Sequence, residues 1–159
     1  MTTAAGPVTR TAGSFRERFD AAVEARNSLL CVGLDPDPGR IPMGVSVEDF
    51  LIGIIEATSD LVCAYKPNTA FFEQFGDAGW RILREVINHI PDETPVLLDA
   101  KRGDVGHTAA AYAAALFDWA GADAVTLNPY LGFDALEPFL SYKDRHVFIL
   151  CRTSNPSAG

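Results

Sequence analysis

The chain is poor in cysteine, poor in basic residues and without any long apolar run. Its three cysteines are Cys31, Cys63 and Cys151, and no two have the CxxC spacing of a structural zinc site. Each falls in an apolar, strand-like run and reads as a buried free thiol. That is the habit of cysteine in a reducing compartment, and it points to the cytoplasm. Lys and Arg number 13 against 21 Asp and Glu, a net charge of −8. That excludes the basic face of a general nucleic-acid binder, yet leaves room for a local cationic pocket that takes a small anion. No stretch approaches the ~18 apolar residues of a membrane span. The opening residues 1–13 are small and polar, lack the apolar stretch of a secretory signal, and read as a flexible leader.

What is present suits a single soluble domain over residues 14–159: 159 residues in all, 48% apolar and 21% charged. Ser14-x-x-Glu17 is a capping box, and Phe15, Phe19, Ala22 and Val23 behind it have helical spacing. Residues 28–34 (SLLCVGL) read as a strand, and Asp35-Pro36-Asp37-Pro38-Gly39 as a loop. Ser46-x-x-Asp49 opens a second helix with a stripe at Val47, Phe50, Leu51, Ile54 and Ile55. Residues 61–66 are a second strand closed by Pro67. A helix follows around Trp80, Leu83, Val86, Ile87 and Ile90, stopped by Pro91. Residues 96–99 are a third strand, 108–120 an alanine-rich helix, 124–127 a fourth strand, 135–140 a helix, and 146–151 a fifth strand.

Strands alternate with helices five times, and the strands are apolar throughout, as expected when both faces are covered. This is an α/β protein with a parallel sheet, either an open doubly wound sheet or a (β/α)8 barrel. No GxGxxG fingerprint follows the first strand, which weakens a dinucleotide fold. The polar residues fall at the carboxyl ends of strands: Asp35, Lys66, Asp99 with Lys101, Asn128 and Thr153. In a barrel these meet at one rim, where active sites are built. In an open sheet they would spread over ~20 Å. Five βα units cannot close an eight-unit barrel of ~250 residues, so the chain is expected to be the first part of a longer polypeptide.

The densest chemistry is Asp99-Ala100-Lys101-Arg102-Gly103-Asp104, at the end of the third strand. Alternation sends Asp99 and Lys101 to one face, and Asp104 lies on the following loop. Such charges are costly at the rim of an apolar core unless they are paired or used, and clusters of this kind mark chemistry.

Leu34-Asp35-Pro36, Tyr65-Lys66-Pro67-Asn68, the segment 99–105 with Thr108, and Thr153-Ser154-Asn155-Pro156 together resemble orotidine 5'-phosphate decarboxylase. The likeness is greatest to its longer bacterial subfamily, and it runs from about Phe15 to the end. The resemblance implies a TIM barrel and cofactor-free loss of CO2 from orotidine 5'-phosphate to give UMP in pyrimidine biosynthesis, with no metal. It implies an alternating Lys-Asp-Lys-Asp array of Lys66, Asp99, Lys101 and Asp104, with Lys101 as proton donor. Asp35, Lys66, Thr108 and Thr153 or Ser154 would bind substrate. It further implies a homodimer in which Asp104 and Thr108 reach the neighbouring subunit's site, and a phosphate grip on loops after the last strands. Without that grip the 159-residue piece is expected to be inactive.

Three rivals stand beside this reading. Mg2+-dependent sugar-phosphate decarboxylases and aldolases of the same superfamily keep the DxKxxD segment, but need an acidic ligand where this chain has Lys66. A Schiff-base aldolase needs a neutral lysine, which two nearby aspartates oppose. An inactive, truncated fragment is the third. His89 and His146 read as surface residues, His107 as helix-terminal, Asn128 as a turn former, and Phe71 and Phe72 as core or interface.

Overall fold

A computed structural model describes residues 13–158, so the expected leader lies outside the described residues except for Gly13. The elements run α1 (Phe15–Arg26), β1 (Cys31–Leu34), α2 (Val47–Thr58), β2 (Ala64–Pro67), α3 (Thr69–Glu73), α4 (Asp77–His89), β3 (Leu97–Arg102) and α5 (Gly106–Ala113). A π-helical turn (Ala114–Trp119) follows, then β4 (Ala124–Leu127), a 3-10 turn (Phe133–Ala135), α6 (Glu137–Leu140) and β5 (His146–Ile149). Local chemistry sets the starts. Ser14 and Glu17 form the reciprocal capping box of α1, and the Ser46 hydroxyl accepts from the Asp49 N–H at the head of α2.

All strand pairings are parallel. β1 pairs with β2, and β4 lies between β3 and β5. Parallel bridges Tyr65↔Val96 and Asn68↔Asp99 join the two sets. Strand order is therefore chain order, with every crossover running through helix. A doubly wound sheet would reverse order at a switch point; this sheet winds in one direction, as a barrel does.

Alternation divides the strand residues. Tyr65, Leu98, Ala100, Val125 and Leu127 belong to the buried core with Leu51, Ile55, Leu83 and Phe117. The intervening Lys66, Asp99 and Thr126 take the other face, and all three are only partly exposed. Tyr65 is fully buried, and its hydroxyl donates to the Ile55 carbonyl at 3.1 Å, pinning β2 to α2. Phe72 is core, as expected.

Several expectations need correction. β1 and β5 are not covered on both faces: Cys31, Gly33, His146, Phe148 and Ile149 are exposed, because each strand has a single neighbour among the described residues. For the same reason only Cys63 is a buried thiol; Cys31 and Cys151 are exposed. Residues 61–63 precede β2 rather than belonging to it, and β3 runs on to Arg102. The helix α3 was not foreseen; five residues are too short for a periodic pattern, and its signal is the Asn68 side chain accepting from the Ala70 N–H. Gly79 lets α4 lie against α3, since a Cβ there would strike the Phe72 carbonyl.

Opposite the carboxyl ends of the strands, α1 is tied to the sheet by a buried ionic knot. The Asp123 carboxylate, 1% exposed, pairs with Arg18 and accepts from Arg145 at 3.2 Å and from the Val96 N–H at 2.8 Å. Removing one partner of a buried pair leaves a charge uncompensated. Asp123→Ala is therefore expected to lower stability by about 3–5 kcal/mol in chemical denaturation. Arg16→Ala, which breaks an exposed i,i+4 pair with Asp20, should leave the denaturation midpoint essentially unchanged.

Candidate active site

The carboxyl ends of β2, β3 and β4 bring three of the expected residues together around one carboxylate. Asp99 Oδ1 accepts from the Lys101 ammonium at 2.6 Å, and Oδ2 lies 3.7 Å from Lys66 Nζ. A residue absent from the sequence expectation completes the group: Thr126 Oγ1 donates to Asp99 Oδ1 at 2.8 Å. The available signal was a hydroxyl within the otherwise apolar run 124–127.

Thr126 does more than bind Asp99. The β3–β4 register moves from Leu98↔Val125 to Arg102↔Leu127, so β3 carries extra residues against its partner. Within this bulge the Lys101 N–H donates to a side chain, Thr126 Oγ1, at 2.9 Å. Lys101 itself adopts φ +49°, a left-handed conformation that costs a non-glycine residue about 1–3 kcal/mol. Bulges beside sites re-aim side chains, and here the kink turns the Lys101 ammonium back onto Asp99. Gly103 follows because the loop must pass tightly over β4. A Cβ there would collide with the Asn128 carbonyl oxygen, while the Asn128 N–H donates to the Arg102 carbonyl at 2.7 Å.

Burial pushes the Asp99 carboxyl up. The hydrogen bonds from Lys101 and Thr126 and the charges of Lys101 and Lys66 outweigh that push and hold it below the usual carboxylate range. The site is thus a carboxylate with two ammonium groups, fixed at the rim by parallel strands and able to present positive charge to an anionic ligand.

The other expected residues occupy different places. Asp35, just past β1, accepts from the Asn68 N–H at 3.0 Å and so ties the β1 loop to the loop after Lys66. Asp104 is not drawn into the array within one chain: its Oδ1 accepts from the Val105 N–H at 2.7 Å, and among the described residues it makes no ion pair. Thr108 lies in the first turn of α5. Thr153 Oγ1 donates to Asn155 Oδ1 at 2.6 Å, and Ser154 beside it is exposed. Asn128 turns the chain, its Oδ1 accepting from the Tyr130 N–H at 3.0 Å. His89, His107 and His146 are exposed, on or at the ends of elements. Among the described residues no group of three or more His, Cys, Asp or Glu is placed to hold a metal ion, and no helix is long and apolar enough to cross a membrane.

The sequence pattern of the orotidine 5'-phosphate decarboxylase / HUMPS family matches residues 28–159. An orotidine 5'-phosphate decarboxylase of Herpetosiphon aurantiacus is 56% identical over 147 residues, covering 89% of this chain and 55% of that protein. One from Roseiflexus castenholzii is 54% identical over 151 residues, covering 92% and 55%. The solved structure of Leishmania donovani OMP decarboxylase is similar at TM-score 0.82 and 47% identity, over 90% of this chain and 55% of that one. The five βα units are thus part of a TIM barrel, and the chain spans about half the length of the curated relatives it matches.

The depressed Asp99 carboxyl has a definite pH consequence. A group whose pKa falls on folding contributes stability that is complete above its unfolded value, about 3.9, and is lost as pH drops through the folded value. Thr126→Val removes one hydrogen bond to the ionised form. It is expected to raise the Asp99 titration midpoint, read by carbon-13 NMR of the carboxyl; an unmoved midpoint would contradict the assigned bond.

Proposed function

The chain belongs to the orotidine 5'-phosphate decarboxylase / HUMPS family, and from that premise we propose that it supplies the decarboxylating half-barrel of an enzyme that converts orotidine 5'-phosphate to UMP in pyrimidine biosynthesis. The observation that carries this reading is the Lys66–Asp99–Lys101 cluster at the ends of adjacent strands.

The reaction breaks the bond between a pyrimidine ring carbon and its carboxylate. CO2 leaves, and the electron pair stays on the ring carbon until a proton arrives. No organic cofactor takes up that pair in this reading, so stabilisation comes from fixed charge. Lys101 faces the developing carbanion and delivers the proton, regaining one from solvent afterwards. Asp99 keeps the ammonium in place. It also repels the substrate carboxylate by about 4 kcal/mol at 4 Å and an effective dielectric of 20, a repulsion that loss of CO2 relieves. Lys66 is the second cation and, with Asp35, holds the ribose hydroxyls. Thr153 or Ser154 meets the base.

Asp104 completes the array from a second copy of the chain, with Thr108 beside it. The absence of a pairing between Asp104 and this chain's own lysines supports that homodimeric arrangement. In this reading the family's phosphate grip, on loops after the later strands, completes the substrate site. Three free thiols fit a reducing compartment, the cytoplasm.

The Mg2+-dependent sugar-phosphate reading ranks lower on the donor set: the Asp99 carboxylate already holds two ammonium groups, and Lys66 opposes a divalent cation there. A Schiff-base reaction is disfavoured because Asp99 stabilises the charged lysine.

The test is reconstitution of the chain with the complementary C-terminal βα units of the Herpetosiphon aurantiacus relative, followed by measurement of CO2 release from orotidine 5'-phosphate. Turnover insensitive to EDTA is expected, with Lys101→Ala lowering kcat by about 10³-fold or more. A folded, co-assembled barrel that releases no CO2, or one whose activity survives Lys101→Ala, would overturn the proposal.

A further inference from the structure

Between α3 and the end of β3 lies an ion pair that none of the roles above uses. Arg102 Nη2 donates to Glu73 Oε1. The same guanidinium donates through Nη1 to the Ala100 carbonyl at 2.9 Å and lies 5.2 Å from the centre of the Tyr112 ring. Arg102 is mostly buried, with 22% of its side chain exposed, and its Nε makes no hydrogen bond.

Each contact bears on a lysine of the array. The Arg102–Ala100 bond spans Lys101 and closes the chain over the one residue held at φ +49°. Glu73 ends α3, which starts immediately after Lys66-Pro67-Asn68, and Asn68 bridges to Asp99. The Glu73–Arg102 pair therefore links the helix that follows the Lys66 strand to the end of the Lys101 strand by a second route. Tyr112, on α5, gives the guanidinium a flat wall. Carboxylate, carbonyl and ring face are met together only by a planar fork; an ammonium would keep one of the three.

We propose that Glu73 and Arg102 are positioning residues, which hold Lys101 in its left-handed conformation and fix its spacing from Lys66. The arrangement itself is geometric; its value to catalysis rests on the decarboxylase reading. A generic surface ion pair could join any two loops. This one brackets the strained residue from both sides, backbone and side chain.

The experiment follows the Asp99 carboxyl by carbon-13 NMR in the chain carrying Glu73→Gln or Arg102→Lys. Loss of positioning lets the Lys101 ammonium leave Asp99, so the titration midpoint should rise in both variants. The direct effect of charge has the other sign: Glu73→Gln removes a negative charge, which would lower the midpoint, and Arg102→Lys keeps charge constant. A midpoint that falls or stays put in a folded variant overturns the proposal, even if thermal stability drops. Glu73→Gln is isosteric and partly exposed, which preserves the fold should Arg102→Lys not. In the reconstituted barrel, both variants should lower kcat at least tenfold with KM changed less than twofold. If the unsubstituted barrel releases no CO2, the decarboxylase reading fails while the titration still decides the role of this pair.

Discussion

One carboxylate organises the rim of this half-barrel. Asp99 binds the Lys101 ammonium, attracts Lys66 from the neighbouring strand and accepts the Thr126 hydroxyl from the strand on the other side. Three parallel strands thus converge on it. Withdrawing such a group from water is unfavourable unless it is compensated, and here the compensation comes from two cations and a hydroxyl. The depressed Asp99 pKa records that the compensation exceeds the cost of burial. Two ammonium groups held beside one carboxylate leave one cation in excess within the cluster itself, on a chain whose overall charge is −8.

Backbone geometry and electrostatics are joined in the same few residues. A regular β3 would point Lys101 along the strand's own face with its N–H on the ladder. The bulge shifts the register, the Lys101 N–H donates to the Thr126 hydroxyl, and Lys101 takes the left-handed region. The next glycine then lets the loop cross β4 at a distance no Cβ would tolerate. The motif Asp99-Ala100-Lys101-Arg102-Gly103-Asp104 therefore encodes a shape as well as a set of charges. Ala100 packs into the helix-facing core while Asp99 and Lys101 face away from it.

Much of this was legible in the sequence, for identifiable reasons. The capping box at Ser14 and Glu17, the apolar stripe of α2 and the run 124–127 each carry a local signal strong enough to fix an element. The coincidence of polar residues at strand ends indicated the barrel, and strand order agrees with it. Thr126 went unrecognised because its importance comes from two hydrogen bonds to another strand, with the Lys101 N–H and the Asp99 carboxylate, which no local pattern records. The short α3, the π-helical turn and the Glu73–Arg102 pair went unseen likewise; the pair joins residues 29 apart in sequence. The exposure of Cys31 and of β5 reflects edge position, a property of the sheet rather than of the run.

The central claim is that the Lys66–Asp99–Lys101 cluster is where a pyrimidine nucleotide reacts. A crystal structure of the reconstituted barrel soaked with UMP tests it most directly. The account predicts the base seated over this cluster, with the ring carbon that bears the carboxylate in the substrate facing Lys101 Nζ. A nucleotide bound elsewhere, with Lys101 and Asp99 facing only solvent, would contradict it.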